Sequence, residues 1–117
     1  MFSARNKKTE NSAAFRATLT PDARRVVHAA AQNALQGNAR RIVATGHTDT
    51  VGTASYNLSL SRRRAAAVHA ELVRDGVPGT LISTSGVGEN DLAVQTGANV
   101  NEPRNRRVEI AVQAPGM

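Results

Sequence analysis

Residues 46–65, Gly-His-Thr-Asp-Thr-Val-Gly-Thr-Ala-Ser-Tyr-Asn-Leu-Ser-Leu-Ser-Arg-Arg-Arg-Ala, constrain the fold more than any other stretch of the chain. They open with a polar, glycine-bounded turn over residues 46–52, straight after the apolar run 42–44. An apolar run that stops at such a turn predicts a strand end. Helical spacing then begins near Ala54 and continues to Asp75. One carboxylate, Asp49, therefore sits at a strand end, and one arginine, Arg64, sits on the helix that follows. Asn57, Leu60 or Ser61, and Arg64 fall at i, i+3/i+4 and i+7 and share a face. Leu58, Ala65, Val68 and Leu72 form the adjacent apolar stripe. The helix is expected to pack through that stripe and to show Asn57 and Arg64 at the rim beside Asp49. A carboxylate and a guanidinium held close suit a ligand with both charges, such as the ammonium and carboxylate of an amino acid. A structural Asp49–Arg64 pair that pins turn to helix fits the same residues, and residue types alone leave both readings open.

With 117 residues, the chain is expected to form one domain. Aromatic residues are only 3%, so the core must be built from Val, Leu, Ile and Ala, and few rings are available for stacking bases or sugars. The absence of cysteine excludes a disulfide, a thiolate nucleophile and a Cys-type metal site. The net charge of +6 favours a polyanion such as nucleic acid, anionic lipid or a cell-wall polymer. An arginine-rich, solvated surface accounts for that charge equally well. No run of 18 apolar residues occurs, so no membrane span is expected. Residues 1–10 are polar and lack the apolar centre of a secretory signal.

Taken in order, residues 1–13 are polar and aperiodic and read as a flexible lead. Residues 14–19 read as a weak short strand. Thr20-Pro21-Asp22 starts a helix: Thr caps, Pro takes the first helical position and Asp meets the positive end of the dipole. Ala23, Val26, Val27, Ala30, Ala34 and Leu35 follow at helical spacing, and Gly37 ends the helix. A strand over 40–45, the helix over 54–74 stopped by Gly76, a strand from Leu81 to Gly86, a long loop over 87–104 and a last strand over 106–112 complete the reading. The order is (β)αβαββ, an α+β fold. A mixed four-stranded sheet with two helices packed on one face is expected, with a parallel central pair and an antiparallel last strand.

The spacing Gly46-His47-Thr48-Asp49, Tyr56-Asn57, Leu60-Ser61-x-x-Arg64-Ala65 resembles the OmpA-like C-terminal domain. Gly76-Val77, Gly86-x-Gly88-Glu89 and Asn105-Arg106-Arg107-Val108-Glu109-Ile110 continue the likeness in the right order, over about residues 19–112. The domain is accordingly expected over 14–112, followed by a polar tail over 113–117. The resemblance implies a non-enzymatic module of the periplasm or outer membrane. Such a module binds peptidoglycan without a covalent bond, through diaminopimelate, and tethers an envelope component to the wall. The family's ligand-binding Asp falls on Asp49 and its ligand-binding Arg on Arg64. Thr48, Asn57, Leu60 and Arg106 occupy positions that line or support the family's pocket. The implied chemistry has Asp49 taking the ammonium and Arg64 gripping the neighbouring carboxylate, with backbone amides of the 46–52 turn taking further oxygens. This chain departs from the family where an aromatic–acidic strand ordinarily precedes the first helix: that place reads Ser12-Ala13-Ala14-Phe15, so a poorly anchored first strand is expected. The secretion signal and the anchor or barrel of typical members are not seen in this chain.

Other readings are weaker. A stator or secretion-system anchor of the same fold, and a basic nucleic-acid-binding protein, are the alternatives, although no nucleic-acid partner is expected. No Gly-x-Ser-x-Gly elbow accompanies His47 and Asp49, and no catalytic residue is assigned. His28, His47 and His69 lack metal-ligand spacing, so no metal or cofactor is expected. Arg62-Arg63-Arg64 fits a nucleic-acid contact less well than a helix whose flanking arginines are solvated. Gly86-Val87-Gly88 is too short for a phosphate loop.

Overall fold

A computed structural model describes residues 7–11 and 20–115. Helix α1 (Pro21–Gln36) begins where the capping residues place it: Thr20 Oγ1 accepts from the Ala23 amide at 3.1 Å. It buries a face of small residues, Ala23, Val27, Ala30, Ala31 and Ala34. Strand β2 (Arg41–His47) leads through the polar turn into helix α2 (Ala54–Arg74), capped by the Thr53 hydroxyl. Strand β3 (Ile82–Gly86) follows, and β4 (Arg107–Gln113) comes last among the strands. Two helices and a mixed sheet make the α+β fold that the spacing predicts. The element limits differ in detail: a short 3-10 turn, Gly79–Leu81, takes Leu81 out of the third strand, and Gln113 belongs to the last strand rather than the tail.

Strands β2 and β3 pair in parallel, the hand-over between them being α2, while β4 runs antiparallel to β2 on its other side. A further strand, β1 (Lys7–Asn11), pairs antiparallel with β4, and the sheet order is β1-β4-β2-β3. This corrects the reading of a flexible lead at Lys7–Asn11, the part of residues 1–13 that is described. Lys-Lys-Thr-Glu-Asn has no apolar alternation to reveal a strand, because an edge strand can be held by backbone bonds to its neighbour alone. The strand expected over 14–19 and the sequence departure at 12–15 lie outside the described residues.

The core lies between the helices and one face of the sheet. Ile42 and Ala44 of β2 and Val108, Ile110 and Val112 of β4 meet Val27, Ala30 and Ala34 of α1 and Val68 and Leu72 of α2. The C-terminal ends of β2 and β3 pack differently. A Cβ on Gly46 would overlap the Ser61 carbonyl, and one on Gly86 would overlap the Arg62 amide and the Ser61 side chain. Backbone therefore lies on backbone there, and glycine is the residue type that admits the approach. That contact brings the first half of α2 directly beneath the polar turn.

Candidate functional site

The turn after β2 is built around the Asp49 carboxylate, which is 4% exposed. Asp49 Oδ1 accepts from the Val51 amide at 3.1 Å, a local loop closed by the side chain. Its Oδ2 accepts from the Glu102 amide at 3.2 Å and from Arg106 Nη1 at 2.9 Å. Arg106 also donates to Asn101 Oδ1. Both oxygens are thus bonded, as a buried carboxylate requires. The partners from the far side arrive on the segment between β3 and β4. Thr50 fastens the same segment: its hydroxyl donates to the Gly97 carbonyl at 2.7 Å and accepts from the Val100 amide at 2.9 Å. The Glu102 carboxylate itself is held by Arg104, whose hydrogen bonds bring its pKa down to about 2.

Beneath the turn lies the polar face of α2. Asn57 Nδ2 donates to the carbonyls of Asp49 (3.2 Å) and Val51 (2.9 Å) and to Glu89 Oε1 (3.0 Å). Arg64 Nη1 donates to the His47 carbonyl at 3.2 Å. Ser61 Oγ accepts from the Gly88 amide at 2.8 Å. Asn57 and Arg64 are each 1% exposed. The expectation that they stand at the rim is therefore corrected: they form the floor. The cause is the glycine contact just described, together with the closing segment that roofs the turn. The sequence-derived residues Thr48, Asp49, Asn57, Leu60 and Arg64 are all buried, and Arg106 joins them with a side chain 13% exposed. Thr48 is held through its amide, which donates to Gly88 at 2.9 Å, and through its hydroxyl, which donates to the Asp49 carbonyl. Leu60 is buried outside the main apolar cluster.

A second correction concerns the turn's amides. Those of Thr48, Val51 and Gly52 already donate to Gly88, Asp49 and Asn99. They are committed within the protein rather than open to ligand oxygens. Sequence reasoning also missed the closing segment. Glu102 contributes a backbone amide, which no side-chain pattern signals, and the breakers Gly97, Asn99 and Asn101 read only as loop.

On the outer face of the sheet, His47 is 1% exposed, and its ring nitrogens have no hydrogen-bond partner among the described residues. Its Nε2 lies 3.8 Å from Glu109 Oε1. Arg107 bonds Glu109 Oε2 at 2.9 Å and the carbonyls of Asn105 and Asp91. Burial lowers the His47 pKa from its ordinary value, and the nearby Arg107 charge lowers it further.

Surface cavities are also found among the described residues. One, of about 480 Å³, sits between the helices and is lined by Arg24, Arg25, His28, Ala29, Glu71 and Asp75. Another, of about 410 Å³, lies at β3 and is lined by Arg62, Thr84, Ser85 and Gly86. No helix among the described residues is long and apolar enough to cross a membrane.

Comparison with known proteins places this architecture. The chain is 46% identical over 101 residues to an outer membrane protein of Gluconacetobacter diazotrophicus, covering 81% of this chain and 27% of that protein. It is 39% identical over 93 residues to the peptidoglycan-associated lipoprotein of Pseudomonas aeruginosa, covering 79% of this chain and 54% of that protein. This chain thus spans about a quarter to about half of those relatives. Among solved structures, the peptidoglycan-associated lipoprotein from Burkholderia pseudomallei has the same fold, with a TM-score of 0.81 at 24% identity, covering 90% of this chain and 89% of that one. The sequence profile of the OmpA family matches residues 14–106, and the chain belongs to that family.

Proposed function

We propose that this domain binds peptidoglycan without a covalent bond, through the diaminopimelate of the stem peptide, and so ties an outer-membrane or periplasmic component to the cell wall. The observation that carries the reading is the convergence of two guanidinium groups, Arg64 from below and Arg106 from the side, on the turn of one buried carboxylate, Asp49. That charge pattern complements a group with one ammonium and adjoining carboxylate. The ammonium takes the place that Arg106 Nη1 and the Glu102 amide occupy at Asp49 Oδ2, while Val51 continues to hold Oδ1. Arg64 and the released Arg106 face the ligand carboxylate. Thr48, Asn57 and Leu60 keep the turn in shape. Family membership and the 39% identity to a peptidoglycan-associated lipoprotein support the same reading.

The test is co-sedimentation with purified peptidoglycan. Asp49→Ala and Arg64→Ala, each checked for folding by circular dichroism, are expected to lose binding, since removing one partner of a desolvated charge pair costs about 2–5 kcal/mol. Peptidoglycan with lysine in place of diaminopimelate is expected to bind weakly, because lysine offers the ammonium without the neighbouring carboxylate. Folded variants that sediment like the parent would sink the proposal.

A further inference from the structure

We infer that the cavity at the open edge of β3 is a second subsite, which takes another carboxylate of the peptide whose diaminopimelate sits at Asp49. The inference rests on the function proposed above. Three features of the cavity carry it. First, its charge is of one sign. Its lining holds one guanidinium, Arg62, and no acidic residue, whereas the cavity between the helices mixes Arg24 and Arg25 with Glu71 and Asp75. Among the described residues no side chain pairs with Arg62, while Arg104, Arg106 and Arg107 all have carboxylate partners. Second, the strand supplies donors that have no partner among the described residues. The Val87 amide donates to the Gly46 carbonyl, so alternation turns Ser83 and Ser85 toward β2 and leaves the amides of Thr84 and Gly86 facing the open edge. Thr84 and Ser85, both exposed, line the same cavity and bring hydroxyl groups to it. A guanidinium with neighbouring N–H and O–H donors is a carboxylate site in kind.

Third, the cavity is next to the Asp49 turn by construction of the fold. Gly86 pairs with Gly46, and neighbouring strands lie about 4.8 Å apart. The contact of α2 with these two glycines delivers Arg64 under the turn and, two residues earlier on the helix, Arg62 to the outer edge. A peptide that places one residue at Asp49 can therefore reach the β3 edge with an adjoining one.

Calorimetric titration separates this subsite from the primary one. The ligands are free diaminopimelate, a diaminopimelate muropeptide, and the same muropeptide with its other carboxylates amidated. Arg62→Ala is expected to weaken muropeptide binding about fivefold, as an exposed charge pair does. Binding of free diaminopimelate and of the amidated muropeptide should stay at the parent's level in that variant. Arg63→Ala removes the same charge one residue along, outside the cavity, and should leave all three ligands unaffected. Muropeptide binding unchanged in Arg62→Ala overturns the subsite, and so does an equal loss in Arg63→Ala, which would mark a general charge effect. A parent that binds none of the three ligands refutes the proposed function itself, and the subsite with it. A parent that binds them with Arg62→Ala unaltered refutes the subsite alone.

Discussion

The two helices bury different chemistry against the same sheet. Helix α1 buries only apolar side chains, four alanines and Val27. Helix α2 is divided. Its second half buries Val68 and Leu72 in the common core, whereas its first half buries Asn57, Ser61 and Arg64 beneath the polar turn. Burying an amide or a guanidinium is unfavourable unless its hydrogen bonds are met. Here they are met by the carbonyls of His47, Asp49 and Val51 and by Glu89. An apolar face would pack α2 as well as it packs α1. The polar half of α2 therefore marks where the fold holds a particular turn in a particular shape, and the apolar half marks ordinary packing.

That division is open to mutation. The largest effect on stability is expected from Leu72→Ala, in the apolar half, at about 2–5 kcal/mol. Chemical denaturation measures it, and peptidoglycan sedimentation at a temperature where the variant stays folded should match the parent. Lost binding in folded Leu72→Ala would erase the boundary between the two halves. Asn57→Ala, in the polar half, is expected to cost less stability, about 1–3 kcal/mol, because it strands buried acceptors rather than opening a large cavity. It should nevertheless weaken binding, by less than Arg64→Ala does, since Asn57 shapes the turn. Sedimentation run as a concentration series checks the ranking, and equal losses would make Asn57 a direct ligand contact.

The smallest effect concerns pH and arises at the polar end of the sheet. The folded protein lowers the His47 pKa, so the unfolded chain takes up the proton first as pH falls. The stabilisation from neutral His47 is complete above its unfolded value of about 6.5 and is lost as pH drops below it, by at most about 1.4 kcal/mol per pH unit. Urea midpoints compared between about pH 7.5 and about pH 5 should fall in the parent and flatten in His47→Gln. An equal slope in both proteins would place the titration elsewhere.

Much of this was legible from local signals. The Thr20-Pro21-Asp22 cap and Gly37 bound α1, and periodicity placed α2 and the turn before it, because capping and helical spacing act over three or four residues. The motifs around Asp49 and Arg64 likewise put both residues on adjoining elements. What the pattern misjudged was exposure. Asn57 and Arg64 read as rim residues because polar side chains ordinarily face solvent, and nothing local says that another segment covers them.

The amino-acid sequence by itself determined the helices, the presence of a strand before the polar turn and the family to which the chain belongs, since each is written in contiguous residues or in their spacing. Only the tertiary structure decided that the carboxylate of Asp49 is closed by Arg106, 57 residues away, and by the backbone of Glu102. It alone decided that Lys7–Asn11 joins the sheet beside β4, and that two glycines let α2 rest on the strand ends. These depend on which distant segments meet. Such meetings are set by the closure of the whole core and by backbone hydrogen bonds that carry no side-chain signature.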